Sequence, residues 1–282
     1  MNRRYRLLAL DVDGTLLDSA GALRPSTASA IARAAASGIR PVLCTGRRYR
    51  RARPVAEQLG IDAPLVCNSG ALVKEPFEDR TLWRADFDAE LLTEILAIFR
   101  SFGEPVVSFT DERAEGFDFL VEQNATGRPL FDDYVDQNRA HAAVVPGWPE
   151  QWFDHAHFHL TAIGTRPAML DFERAVHDRI GGRVRTFVQR SPQYAGTMCE
   201  LLRSDASKWS AVLHVAELWG VAPEEICAVG DDMNDIPMIL GAGLGVAMGH
   251  APESVRRSAD LITDDHDNDG VARLVHDVLL AP

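Results

Sequence analysis

The first apolar stretch of the chain, Tyr5 to Asp11, is short, shows no polar alternation and ends in acidic residues. Such a run predicts a strand buried on both faces, as in a parallel sheet. Pro25-Ser26 then opens an alanine-rich helix, and Gly38 closes it through its tolerance of left-handed geometry. Arg40 to Gly46 reads as a second strand, residues near 50 to 59 as a helix ended by Gly60, and Pro64 to Asn68 as a third strand. The order β-α-β-α-β is the start of an open α/β sheet.

The rhythm changes after residue 84. A helix from Asp86 to about Phe102 precedes two alternating segments, Val106–Thr110 and Phe117–Val121, that suit an antiparallel pair. A helical stretch near Leu130–Asn138, an alternating strand His155–Ile163, a helix Pro167–Ile180 and a strand Arg183–Val188 follow. Parallel-type signals then return: a helix Ser207–Gly220, a buried strand Glu225–Gly230, and short strands Leu244–Met248 and Asp260–Thr263. The expected architecture is α/β, a doubly wound, Rossmann-like parallel-sheet core formed by 1–84 and 192–282. An inserted α+β domain would occupy 85–191.

Composition narrows the function classes. With 282 residues and roughly 150 per domain, one large or two modest domains are expected. No run approaches the ~20 apolar residues of a membrane helix, so no membrane partner is expected. Asp11 and Asp13 cut the first apolar run too early for a signal peptide, which makes the cytoplasm the default compartment. The sequon-like Asn124-Ala-Thr126 then has no route to glycosylation. A net charge of −12 argues against a nucleic-acid partner. Cys44, Cys67, Cys199 and Cys227 form no CxxC pair and sit in apolar runs, which reads as four small core residues of a reduced protein. Of 29 cations only Lys74 and Lys208 are lysine. A chain that uses arginine wherever any cation will do marks its lysines as candidates for places that need a compact ammonium.

Four chemically equipped segments fall at predicted strand ends or at the start of the next helix, the edge where ligands bind in open α/β sheets. They are Asp11-Val-Asp13-Gly-Thr15, Thr45-Gly46-Arg47, Lys208, and Gly230-Asp-Asp-Met-Asn-Asp235. Asp11, Asp13, Asp231, Asp232 and Asp235 would crowd up to five carboxylates into one cleft, and a hard divalent cation relieves their repulsion. Mg²⁺ suits a few carboxylates, several waters and a substrate phosphate. Thr45, the backbone at Gly46 and Lys208 would then supply donors for that phosphate.

In these motifs the chain resembles the haloacid dehalogenase-like phosphohydrolases, and among them the Cof-type sugar phosphatases. The resemblance runs the whole length: Asp-Val-Asp-Gly-Thr-Leu-Leu, Thr-Gly-Arg, the lysine, and Gly-Asp-Asp-Met-Asn-Asp followed by Gly-Leu-Gly-Val-Ala-Met-Gly occur in the family's order. It implies that Asp11 is a nucleophile forming an aspartyl-phosphate, and that Asp13 is the general acid and then base. It further implies Mg²⁺ held by Asp11, the Asp13 carbonyl and Asp231, with Asp235 acting through metal-bound water. Thr45 and Lys208 would hold phosphate, with Gly46, Arg47, Asn68 and Asn234 as further phosphate or substrate contacts. In Asn68-Ser-Gly-Ala71 a serine interrupts the family's Asn-Gly-Ala segment. An α+β cap between Thr45 and Lys208 implies a small phosphorylated metabolite, often a sugar phosphate, as substrate. A phosphomutase using the same aspartyl-phosphate is the alternative. A signalling receiver would lack the large insertion. Oligomeric state and substrate identity are not written in these motifs.

Elsewhere simpler readings prevail. Lys74 is expected as a solvated hairpin residue, and Arg48, Arg50, Arg51 and Arg53 as a solvated helix face. His155, His157, His159 and Thr161 should share one face of a strand, opposite Ala156, Phe158 and Leu160. Adjacent residues on one strand do not close a zinc shell, so this stripe is expected to be a surface, edge or substrate-facing element.

Overall fold

The computed structural model describes residues 4–123, 127–145, 155–190 and 194–281. Asn124-Ala-Thr126 lies outside them. The chain divides into two compact units, residues 1–84 with 207–282, and residues 85–206.

In the first unit, β1 (Leu7–Leu10), α1 (Pro25–Ala36), β2 (Arg40–Leu43), α2 (Tyr49–Leu59) and β3 (Leu65–Cys67) follow the expected alternation. A hairpin, β4 (Leu72–Lys74) and β5 (Thr81–Arg84), completes the N-terminal segment. It pairs antiparallel with β3, and Lys74 lies in it as the sequence reading expects.

The second unit contains α3 (Ala89–Phe102), β6 (Val107–Phe109), β7 (Phe119–Glu122), α4 (Pro129–Asn138), β8 (Ala142–Val145), β9 (His159–Gly164), α5 (Arg166–Ile180), β10 (Val184–Gln189) and β11 (Thr197–Arg203). Its sheet runs β10-β11-β9-β6-β7-β8. Leu160, Ala162, Cys199 and Leu201 pack on one face against Leu92, Ile95 and Phe99 of α3 and Met169, Phe172 and Val176 of α5. β11 corrects the expected boundary at 191. Six of its seven residues are buried, and it pairs with both β10 and β9, so it belongs to the inserted unit.

The chain then returns to the first unit with α6 (Lys208–Leu218), β12 (Ile226–Gly230), α7 (Ile236–Gly241), β13 (Leu244–Ala247), α8 (Glu253–Arg256), β14 (Leu261–Ile262) and α9 (Gly270–Leu274). The parallel sheet has the order β14-β13-β12-β1-β2. β1 pairs with β2 on one side and with β12 on the other. The strand order therefore reverses between β1 and β12, and a crevice opens at their carboxyl ends. Leu7, Ala9, Val42, Ile226 and Ala228 bury one face against Ala211, Val212 and Val215 of α6. Among the described residues, no helix is long and apolar enough to cross a membrane.

Candidate active site

β1 and β12 deliver Asp11 and Asp231 side by side at the reversal point, while α6 brings Lys208 beneath them. Ser207 caps α6: its Oγ accepts from Ser210 N, and Ser210 Oγ accepts from Ser207 N. Lys208 therefore occupies the first helical position, where exposed amides repel a cation. It is nonetheless 1% exposed. Its Nζ donates to Asp11 Oδ1 and to Asp235 Oδ1, both at 2.6 Å. Burial opposes the charged ammonium, but the two carboxylates outweigh it and hold the Lys208 pKa above its usual value.

Asp235 is wholly buried, and its second oxygen accepts from the amides of Asp231 and Asp232, each at 2.9 Å. Both of its oxygens are thus engaged. Thr15 Oγ1 donates to Asp231 Oδ1 at 2.7 Å. Burial is the main cause that raises the pKa of Asp11 well above the carboxylate range, against the pull of Lys208 and with help from Asp235 and Asp231. Asp235 moves in the same direction, again through burial first.

Ligand oxygens of Asp11, Asp231 and Asp235 lie within 4.8 Å of one another. Three carboxylates share one ammonium, and the donors are all oxygen. That set fits a hard divalent cation better than a soft one. Gly14 is required here: its φ is +84°, and a Cβ would stand 2.3 Å from Asp231 Oδ2.

The second edge of the crevice comes from β2 and β3. Thr45 is buried; its Oγ1 accepts from Arg47 N at 3.0 Å, and its carbonyl accepts from Ser69 N at 3.1 Å. Asn68 and Ser69 are buried with φ of +50° and +55°, a conformation that costs a non-glycine residue about 1–3 kcal/mol. Gly70 follows at +96°, its Cα so near α6 that a Cβ would lie 2.1 Å from the Ser207 carbonyl carbon. This left-handed turn is thereby wedged against the helix that carries Lys208. Asn234 Nδ2 donates to Ser69 Oγ at 3.2 Å, and the open Gly46 backbone faces both.

Asp11, Asp231, Asp235 and Lys208 thus converge through direct bonds, and Thr45, Gly46, Asn68 and Asn234 are tied together through Arg47 and Ser69. Arg47 joins this group to Asp13: its guanidinium binds that carboxylate, Nη2 to Oδ1 at 2.6 Å and Nε to Oδ2 at 2.7 Å. Sequence reasoning passed over four residues. Thr15 stands inside the first motif and Ser69 inside the interrupted Asn68–Ala71 segment, so both were within reach. His250 Nε2 lies 3.7 Å from Asp231 Oδ2 and 3.1 Å from His266 Nδ1, which is 3.2 Å from the Gly14 carbonyl oxygen. The Asp231 carboxylate beside it raises the His250 pKa. Only the position of His250 just past β13 hinted at it.

Three expectations outside this site change. Lys74 is buried rather than solvated, ion-paired to Asp79 Oδ1 at 2.7 Å with its ammonium over the Tyr49 ring. Arg48 is also buried. The ladder of β9 begins at His159, so the histidines do not form one stripe. His155 approaches Glu112 at 3.5 Å, His157 Nδ1 lies 2.6 Å from Ser108 Oγ, and His159 Nε2 lies 3.1 Å from Thr161 Oγ1. All four cysteines are buried and outside any disulfide, and burial pushes the thiols of Cys44, Cys199 and Cys227 upward.

A family model of haloacid dehalogenase-like hydrolases matches residues 8–275. The chain belongs to that family. Within it, this Cof-type hydrolase is 28% identical over 288 residues to pyridoxal phosphate phosphatase YbhA of Escherichia coli (strain K12), covering 98% of this chain and 99% of the relative. It is 27% identical over 270 residues to 5-amino-6-(5-phospho-D-ribitylamino)uracil phosphatase YcsE of Bacillus subtilis (strain 168), covering 96% and 94%. A solved haloacid dehalogenase-like hydrolase from B. subtilis superposes with a TM-score of 0.79 at 26% identity, covering 97% of this chain and all of that one. This member of the family is a phosphoric monoester hydrolase.

Proposed function

We propose that the protein is a Mg²⁺-dependent phosphatase of small phosphomonoesters, sugar phosphates foremost, working through an aspartyl-phosphate on Asp11. The observation that carries this reading is the buried Lys208 ammonium bridging Asp11 and Asp235 beside Asp231. Lys208 fixes one oxygen of Asp11 and leaves the other to attack phosphorus. As the Asp11 O–P bond forms, the ester P–O bond breaks and the leaving oxygen takes a proton from Asp13. Water then attacks phosphorus and gives its proton to Asp13; the Asp11 O–P bond breaks and phosphate departs. Thr45, the Gly46 backbone, Asn234 and Lys208 are suited to hold the phosphate oxygens. Asp11, Asp231 and the Asp13 carbonyl would hold Mg²⁺, with Asp235 bound to Lys208 and to the turn that carries Asp231. A bound divalent cation would neutralise carboxylate and phosphate charge and keep Asp11 ionised despite its burial.

The names of the two curated relatives point to phosphates on primary alcohols, and such esters belong in the first screen beside sugar phosphates. Four buried thiols and a net charge of −12 suit a cytoplasmic enzyme of soluble metabolites. The test is phosphate release across sugar, nucleotide and cofactor phosphates with and without Mg²⁺. We expect turnover of some small monoesters that chelation abolishes and Mg²⁺ restores. Asp11→Asn should lower that rate by at least about a thousandfold, because an amide cannot attack phosphorus. Isomerised hexose phosphate appearing before free phosphate would identify a phosphomutase instead. A rate unaffected by Asp11→Asn would overturn the covalent route.

A further inference from the structure

Arg47 leaves its turn with the backbone fixed on both sides: its N donates to Thr45 Oγ1, and its O accepts from Asn68 N, both at 3.0 Å. The side chain then spends its fork on a carboxylate. Nε and Nη2 meet the two oxygens of Asp13 at 2.7 and 2.6 Å, and Nη1 reaches the Arg51 carbonyl at 3.5 Å. The pair is partly shielded, the Arg47 and Asp13 side chains being 15% and 27% exposed. Two parallel bonds set the plane of a carboxyl group as well as its position, which a single ammonium cannot do.

We infer that Arg47 is a positioning residue for Asp13 rather than a holder of substrate phosphate. The inference rests on the reading of Asp13 as proton donor and acceptor. A proton-transfer group must lie within about 2.6–3.2 Å of its partner. The Asp13 side chain leaves a turn opened by Gly14, whose backbone can vary, so its aim must come from a fixed neighbour. Arg47 is such a neighbour: its own backbone is locked to Thr45 and to the left-handed turn at Asn68. The arrangement links the aim of the proton donor to the segment that holds the phosphate.

The experiment compares wild type, R47K, R47A, D13N, R47K/D13N and R47A/D13N on esters from nitrophenyl phosphate to alkyl and sugar phosphates. Inhibition by inorganic phosphate and the thermal midpoint are measured for each. An alkoxide leaving group needs the proton, whereas a nitrophenolate barely does. We therefore expect R47K and R47A to lower kcat/KM, which reports only the step that expels the leaving group, by about 100-fold on alkyl esters, the scale of an ångström-sized misplacement. The loss on nitrophenyl phosphate should be at least about tenfold smaller, and the inhibition constant for phosphate should move less than about threefold. In the D13N background either arginine substitution should add less than about threefold. R47K restoring wild-type rates would overturn the inference, since charge alone would then suffice. So would equal losses on every ester with proportionally weaker phosphate inhibition, which would make Arg47 a phosphate holder. If R47A unfolds, R47K and R47K/D13N carry the same comparison. A wild type inert toward every ester overturns the phosphatase reading and this inference together. A wild type whose leaving-group profile survives in the arginine variants overturns this inference alone.

Discussion

Lys208 sits where a cation is doubly unwelcome, buried and at the first position of a helix. Helix stability cannot account for it. Its two 2.6 Å bonds to Asp11 and Asp235 do, and they hold the buried ammonium from two sides. Lys208→Arg keeps the charge but needs space for a planar fork. Phosphate release should therefore fall by at least about a hundredfold, nearly as far as in Lys208→Ala, the scale seen when one preorganised electrostatic donor is lost. Steady-state kinetics on a good substrate decides it, and an arginine variant near wild-type rate would show that charge alone matters. This residue was legible because lysine is so rare in the chain. The pairing of Arg47 with Asp13 was not legible, because adjacency to a phosphate-type turn says nothing about which anion its fork meets; that depends on Asp13, 34 residues away.

At the scale of elements, the buried parallel strands could be read well. Leu7–Leu10 and Ile226–Gly230 are apolar on both faces, and nothing else so short fits that pattern. Thr197–Arg203 escaped because Glu200 interrupts its apolar run, although it forms the second strand of its sheet. Period alone also placed His155 and His157 in a strand that starts at His159. The His159 ring stacks on Phe109 at 4.7 Å, and burial lowers its pKa to about 3. The folded state thus keeps this ring neutral, while the unfolded chain protonates it near the ordinary value of about 6.5. Its contribution to stability is fully present above about pH 6.5 and is lost as the pH falls toward 3, at up to about 1.4 kcal/mol per pH unit. Urea unfolding between pH 7 and 5, above the range where most carboxylates titrate, should show this slope in wild type and less of it in His159→Asn. Equal slopes in the two proteins would remove His159 as the cause.

For the whole molecule, each unit has its own apolar core, and the candidate metal site belongs to one of them. Asp11 lies before the insertion, whereas Lys208, Asp231 and Asp235 lie after it, so the site joins the two halves of a discontinuous unit. Without a cation, Asp11, Asp231 and Asp235 repel one another, and that repulsion adds to burial, the larger cause, in raising Asp11 and Asp235. A divalent ion that binds only the folded unit stabilises it by about 2.7 kcal/mol at a hundred times its dissociation constant. Mg²⁺ should therefore raise the unfolding midpoint of the unit formed by 1–84 and 207–282 and leave that of 85–206 in place. Scanning calorimetry with and without Mg²⁺ reads both. Asp231→Asn reverses the balance: it removes one repelling charge, so the apo variant should unfold no earlier than apo wild type, while most of the Mg²⁺-dependent rise disappears. A variant that keeps the full rise would place the cation elsewhere, and a rise shared by both units would show that the ion does not act through this carboxylate cluster.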